Sequence, residues 1–222
     1  MTVASGAAGL PVEWAGVSFA YEAGADVVRN LSLRVAAGEP VALAGANGAG
    51  KTTLTRMAMG LVRPRAGRVA VGDWDVASRR PDEMARRVGY VFQHADQQLF
   101  ARSVREDVGF GPRQLGRSDA EVPAVLEELA LSADAEVHPY DVRAPVRKVI
   151  ALAGVLAMRP AVLILDEPTA GLDRELRGRV VAALRRRRDE GITIIAISHD
   201  RAFIGEMAQR VVTMREGRIV ER

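Results

Sequence analysis

The sequence predicts an α/β fold with a mainly parallel sheet core, an N-terminal antiparallel β flap and a helical subdomain between two strand-rich parts. Three observations carry this. "PVALAG", "AVLILDE" and "ITIIAISHD" are short, continuous apolar runs ended by loop chemistry, as parallel strands buried on both faces require. Leu31, Leu33 and Val35 instead alternate with Ser32 and Arg34, the period of a half-exposed antiparallel strand. From about 95 to 160 the apolar residues recur at helical spacing.

In chain order, residues 1–9 are small and polar and read as a flexible leader. "PVEWAGVSFAYEAG" and "VVRNLSLRVAAGEP" form the flap. The run "VALA" is a strand, and the helix-compatible "TTLTRMAMGL" follows it. Ser118 and Glu121 have capping-box spacing before a stripe at Val122, Val125, Leu126 and Leu129, although Pro123 would break a ladder that starts so early. A further helix begins at Pro145. The arginines at 185–188 close another helical pattern and read as a solvated helix end suited to the C-terminal dipole. Glu216 and Gly217 mark a closing hairpin. Residues 10–222 thus form one domain, with a core over 10–94 and 161–222 and a helical subdomain over 95–160.

A chain of 222 residues with 48% apolar content can bury a proper core. Its net charge is only +3, from 31 basic and 28 acidic groups, so nucleic-acid binding is not implied. The absence of cysteine excludes disulfides, thiolate metal sites and a cysteine nucleophile, and suits a reducing compartment. The first residues lack the basic start of a signal peptide, and no run approaches the roughly 18 apolar residues of a membrane span.

The chemistry starts at "GANGAGKTT", residues 45–53, a full match to G-x-x-x-x-G-K-[ST] between a strand and a helix. Gly45, Gly48 and Gly50 let the backbone curl so that N–H groups, with those of Asn47, Ala49 and Thr53 nearby, face phosphate oxygens at a helix N-terminus. Lys51 would reach the β and γ phosphates, and Thr52 would bind Mg²⁺. Asp166, at the end of a buried strand, is placed to orient Mg²⁺, and Glu167 is the candidate base for an attacking water.

Together these motifs resemble the ATP-binding subunit of an ABC transporter over nearly the whole chain, which implies the P-loop NTPase ABC ATPase fold. The resemblance assigns Tyr21 to stacking on adenine and Gln93 to linking the metal site with the membrane partner. It places Asp173 in a dimer-contacting loop and His199 at the γ-phosphate. His94 and His138 match no motif and read as loop residues. Residues 96–116, "DQQLFARSVREDVGFGPRQLG", resemble the cobalt and energy-coupling-factor branch. That implies MgATP hydrolysis at the cytoplasmic face of the membrane, with a membrane-embedded coupling protein, a substrate-capture protein and a second ABC ATPase subunit as partners.

One departure stands out. The family's phosphate-sensing signature turn, LSGGQ, falls at Val142, Arg143, Ala144, Pro145 and Val146, where the serine and both glycines are replaced. In the family this turn caps the nucleotide held by the other subunit. The expectation is therefore an asymmetric heterodimer with one impaired site, with a homodimer, a scaffold subunit of negligible turnover and an ABC ATPase acting on DNA or ribosomes as alternatives. A compensating cation at Arg143 is a further alternative.

Overall fold

In the computed structural model the chain is described over residues 8–22 and 24–221, so residues 1–7 of the expected leader lie outside the described residues. Gly9 donates its N–H to Gly191 O at 3.2 Å, against the core.

The flap is a four-stranded antiparallel sheet in the order β2-β1-β4-β5: β1 (Val12–Phe19), β2 (Val28–Val35), β4 (Ala66–Val71) and β5 (Trp74–Asp75). As the alternation requires, Leu31, Leu33 and Val35 are buried while Ser32 and Arg34 are exposed. Trp14 fills the space beneath and donates Nε1–H to Leu54 O at 2.9 Å, which ties the flap to the helix α1 (Lys51–Ala58).

The second sheet has six strands, in the order β10-β9-β3-β8-β7-β6. β3 (Pro40–Ala44), β6 (Val88–Val91), β7 (Val162–Asp166) and β8 (Thr193–Ile197) are mutually parallel, and β9 (Arg210–Arg215) pairs parallel to β3. β10 (Arg218–Glu221) returns antiparallel through Glu216 and Gly217, both at positive φ, as a two-residue hairpin turn demands. Both faces are covered. Val162 and Ile164 of β7 join the cluster under the flap, while Leu163 and Leu165 join the cluster under the helices. That double burial is why these strands read as continuous apolar runs.

A short helix, α2 (Pro81–Met84), precedes β6, and between β6 and β7 the described elements are all helical: α3 (Val104–Gln114), α4 (Val122–Glu128), α5 (Ala144–Ala157) and two short 3-10 turns. The stripe Val122, Val125, Leu126 and Leu129 is buried. The capping box is not formed: Glu121 is the N-cap, without a side-chain cap bond, and Ser118 Oγ accepts from Ala120 N at 3.1 Å. Pro123 explains this: it lacks an N–H and suits the first turn, so the helix starts next to it.

The arginine run also needs correction. It does close α6 (Arg174–Asp189), but Arg187 is only 16% exposed and donates to Glu128 Oε2 at 2.7 Å, with Arg186 at 3.4 Å from the same carboxylate. Arg187 thus ties α4 to α6, while Arg185 and Arg186 stay exposed, as a solvated helix end has them. The remaining helix, α7 (Arg201–Met207), has Asp200 as its N-cap, accepting from Phe203 N at 3.0 Å.

Candidate functional site

Parallel pairing brings the C-terminal ends of β3, β8, β7 and β6 to one edge, and each end releases a motif there: residues 45–53, His199, Asp166 with Glu167, and Gln93. A cleft of 700 Å³ opens at this edge. Tyr21, Asn47, Gly48, Ala49, Gly50, Lys51, Thr52, Thr53, Gln93, Asp166, Glu167 and His199 all border it. Gly45 does not, although its carbonyl accepts from Lys51 Nζ.

Gly50 is the N-cap of α1 at φ +99, and Gly45 and Gly48 also have positive φ. A Cβ at Gly45 would collide with Met214 O, and one at Gly50 would lie 2.7 Å from Val27 O, so both glycines are needed for the loop to close. A Cβ at Gly48 would meet nothing within 4 Å and would stand in open space beside the cleft. That opening is a cradle suited to phosphate.

Lys51 Nζ donates to Gly45 O at 2.7 Å and Ala46 O at 2.9 Å. Burial holds its pKa below the usual lysine value, opposed by the charges of Glu167 and Asp166. Thr52 Oγ1 donates to Asp166 Oδ2 at 2.9 Å. Asp166 is 2% exposed, and burial raises its pKa, opposed by the Thr52 bond and by Arg56, Lys51 and Lys148. One hydroxyl and one buried carboxylate fit a Mg²⁺ ion whose other ligands come from nucleotide phosphates and water.

Glu167 has φ +53, and its N–H donates to Ile197 O at 2.9 Å. Its carboxylate lies 3.7 Å from His199 Nε2 and accepts from His199 N at 3.4 Å. Tyr21 is 47% exposed at the mouth, its hydroxyl 3.2 Å from Thr53 Oγ1 and its ring edge-on to Phe19. Gln93 is exposed on the loop after β6. Sequence reasoning missed Gln98, which accepts from Phe92 N at 3.0 Å and donates to Tyr90 O at 3.1 Å, pinning that loop. His94 and His138 do sit in connecting segments.

The altered turn lies apart from the cleft. Arg143 is the N-cap of α5, so Pro145 is the second helical residue and not the first. Arg143 Nη1 is 3.9 Å from Asp173 Oδ2, with both side chains well exposed, and Asp173 itself caps α6 by accepting from Leu176 N at 2.9 Å. Pro145 has no N–H, and Val146 N–H is already committed to Arg143 O at 2.9 Å.

A glycine loop at the mouth of a parallel sheet, facing a strand-end acid pair across the cleft, defines a P-loop nucleotide hydrolase. The chain belongs to the ABC transporter family, whose sequence pattern matches residues 28–170, and is an ATP-binding ATPase of that family. It is 38% identical over 216 residues to the energy-coupling factor transporter ATP-binding protein EcfA of Methanothermobacter thermautotrophicus, covering 94% of this chain and 69% of that protein. To the cobalt import ATP-binding protein CbiO of Rhodobacter capsulatus it is 40% identical over 210 residues, covering 92% and 75%. The structure of cbiO1 from Clostridium perfringens, part of the transporter complex cbiONQ, superposes with a TM-score of 0.82 at 31% identity, over 95% of this chain and 86% of that one. The expected branch, the cobalt and energy-coupling-factor importers, is the one these relatives occupy.

Proposed function

We propose that this chain hydrolyses MgATP to drive an importer of the energy-coupling-factor or cobalt type, as one half of an asymmetric dimer. The observation that carries this is the coexistence, in one chain, of a fully assembled cleft and a turn at 142–146 stripped of its phosphate-binding groups. In the cleft, the phosphates of ATP replace the carbonyls of Gly45 and Ala46 as partners of Lys51, while the N–H groups at the start of α1 face the negative charge. Mg²⁺, held by Thr52 and Asp166 with Gln93 nearby, would neutralise charge on the β and γ phosphates. Glu167 accepts a proton from the water that attacks the γ phosphorus, the bond to the bridging oxygen breaks, and His199 contacts the γ-phosphate. Tyr21 stacks on the adenine.

The membrane partner meets the helical side near Gln93. An exposed pair, Phe100 and Phe110, stands with ring centroids 4.6 Å apart beside a groove that also includes Ile150, Val155 and Met158. The likeness to ATP-binding subunits of membrane transporters supports a peripheral place at the cytoplasmic face beside a coupling protein and a substrate-capture protein; among the described residues no helix is long and apolar enough to cross a membrane.

Glu167→Gln tests the site. The variant is expected to bind ATP as tightly as the parent and to lose at least about a hundredfold in turnover. Undiminished hydrolysis would remove Glu167 from the reaction.

A further inference from the structure

We infer that Lys148 is a positioning residue for hydrolysis: from the first turns of α5 it fixes, within the same chain, the loop that carries Glu167. The inference rests on the reading of Glu167 as the base. Lys148 Nζ donates to Glu167 O at 3.1 Å and to Ala170 O at 2.8 Å. These carbonyls bracket a tight turn in which Ala170 N–H donates to Glu167 O and Leu172 N–H donates to Thr169 O, each at 3.3 Å. Those turn bonds are long, so the turn is not held by its own backbone alone.

Glu167 needs holding. At φ +53 it occupies the left-handed region, which a residue with a Cβ enters only when its surroundings impose it. The sheet holds one side through Ile197 O, and Lys148 holds the other with charge-assisted bonds to two carbonyls at once. Methionine, similar in length, has no N–H to donate, and a neutral amide lacks the charge that strengthens both bonds. Ala170 borders the nucleotide cleft, so a shift of this turn reaches both the carboxylate of Glu167 and the wall beside it.

α5 therefore has two separable tasks. Its first turn, with Arg143 and Pro145, faces outward and has lost its phosphate-binding character. Lys148, one turn further on, faces the chain's own catalytic loop. The outward function can be lost without loosening Glu167, because the inward contact uses a different residue of the same helix.

The test compares Lys148→Met and Lys148→Arg in the purified chain and in the transporter complex isolated with it. By hydrogen exchange, the Ala170 and Leu172 amides of Lys148→Met are expected to exchange about tenfold faster, with the thermal midpoint essentially unchanged. With MgATP, kcat of the complex should fall about tenfold while KM stays within about twofold, because the misplacement affects the attacking water and not the bound phosphates. Lys148→Arg should recover most of both. Unchanged kcat, or a parallel rise in KM, would overturn the inference. Glu167→Gln serves as control: if it too leaves turnover intact, the reading of Glu167 fails, whereas loss in Glu167→Gln with none in Lys148→Met defeats only the role of Lys148.

Discussion

The loop at 45–53 and the turn at 142–146 both precede a helix, yet only the first keeps the glycines that an anion site needs. Gly45 and Gly50 are demanded by the fold itself, because Met214 O and Val27 O lie where any side chain would go. Nothing comparable binds positions 144 and 145: α5 forms its full 14 residues with alanine and proline there, and proline even suits a first turn. A phosphate site that doubles as architecture resists change. A turn whose residues the fold does not demand can drift while the fold stays intact.

Lys51→Ala leaves both helix starts in place and should reduce ATP turnover about a thousandfold, read in a steady-state phosphate-release assay. The converse change restores the turn: Arg143→Ser with Ala144→Gly and Pro145→Gly should raise turnover of the lone chain about a hundredfold, since several transition-state donors return together. A smaller effect separates structure from chemistry. Glu128→Gln removes the carboxylate shared by Arg186 and Arg187 and should lower stability by about 2 kcal/mol in urea unfolding, while ATP affinity is retained. Smallest is Tyr21→Ala, expected to weaken ATP binding about fivefold by loss of an aromatic face, as measured by fluorescence titration with a nucleotide analogue.

The loop and the acid pair were legible in the sequence because their chemistry is local. Glycine spacing dictates the curl of residues 45–53, and five apolar residues before Asp166 dictate where the two acids emerge. Parallel strand order then brings His199 and Gln93 to the same edge, an outcome their own neighbours do not encode. What stayed hidden depends on distant partners. Arg187 reads as solvated because Glu128 lies 59 residues away in the chain, and nothing near Lys148 in sequence announces its bonds to Glu167 O and Ala170 O, 19 and 22 residues on. The capping-box spacing at Ser118 and Glu121 failed for a local reason, as Pro123 outweighed it.

The most direct measurement is ATP turnover of this chain alone, of its proposed companion ATPase subunit alone, and of the two mixed. If the two subunits share hydrolysis as proposed, the lone chain turns over slowly and mixing raises turnover about a hundredfold, a rise abolished when Glu167→Gln is placed in this chain. Fast turnover by the lone chain, unaltered by the companion, would contradict it.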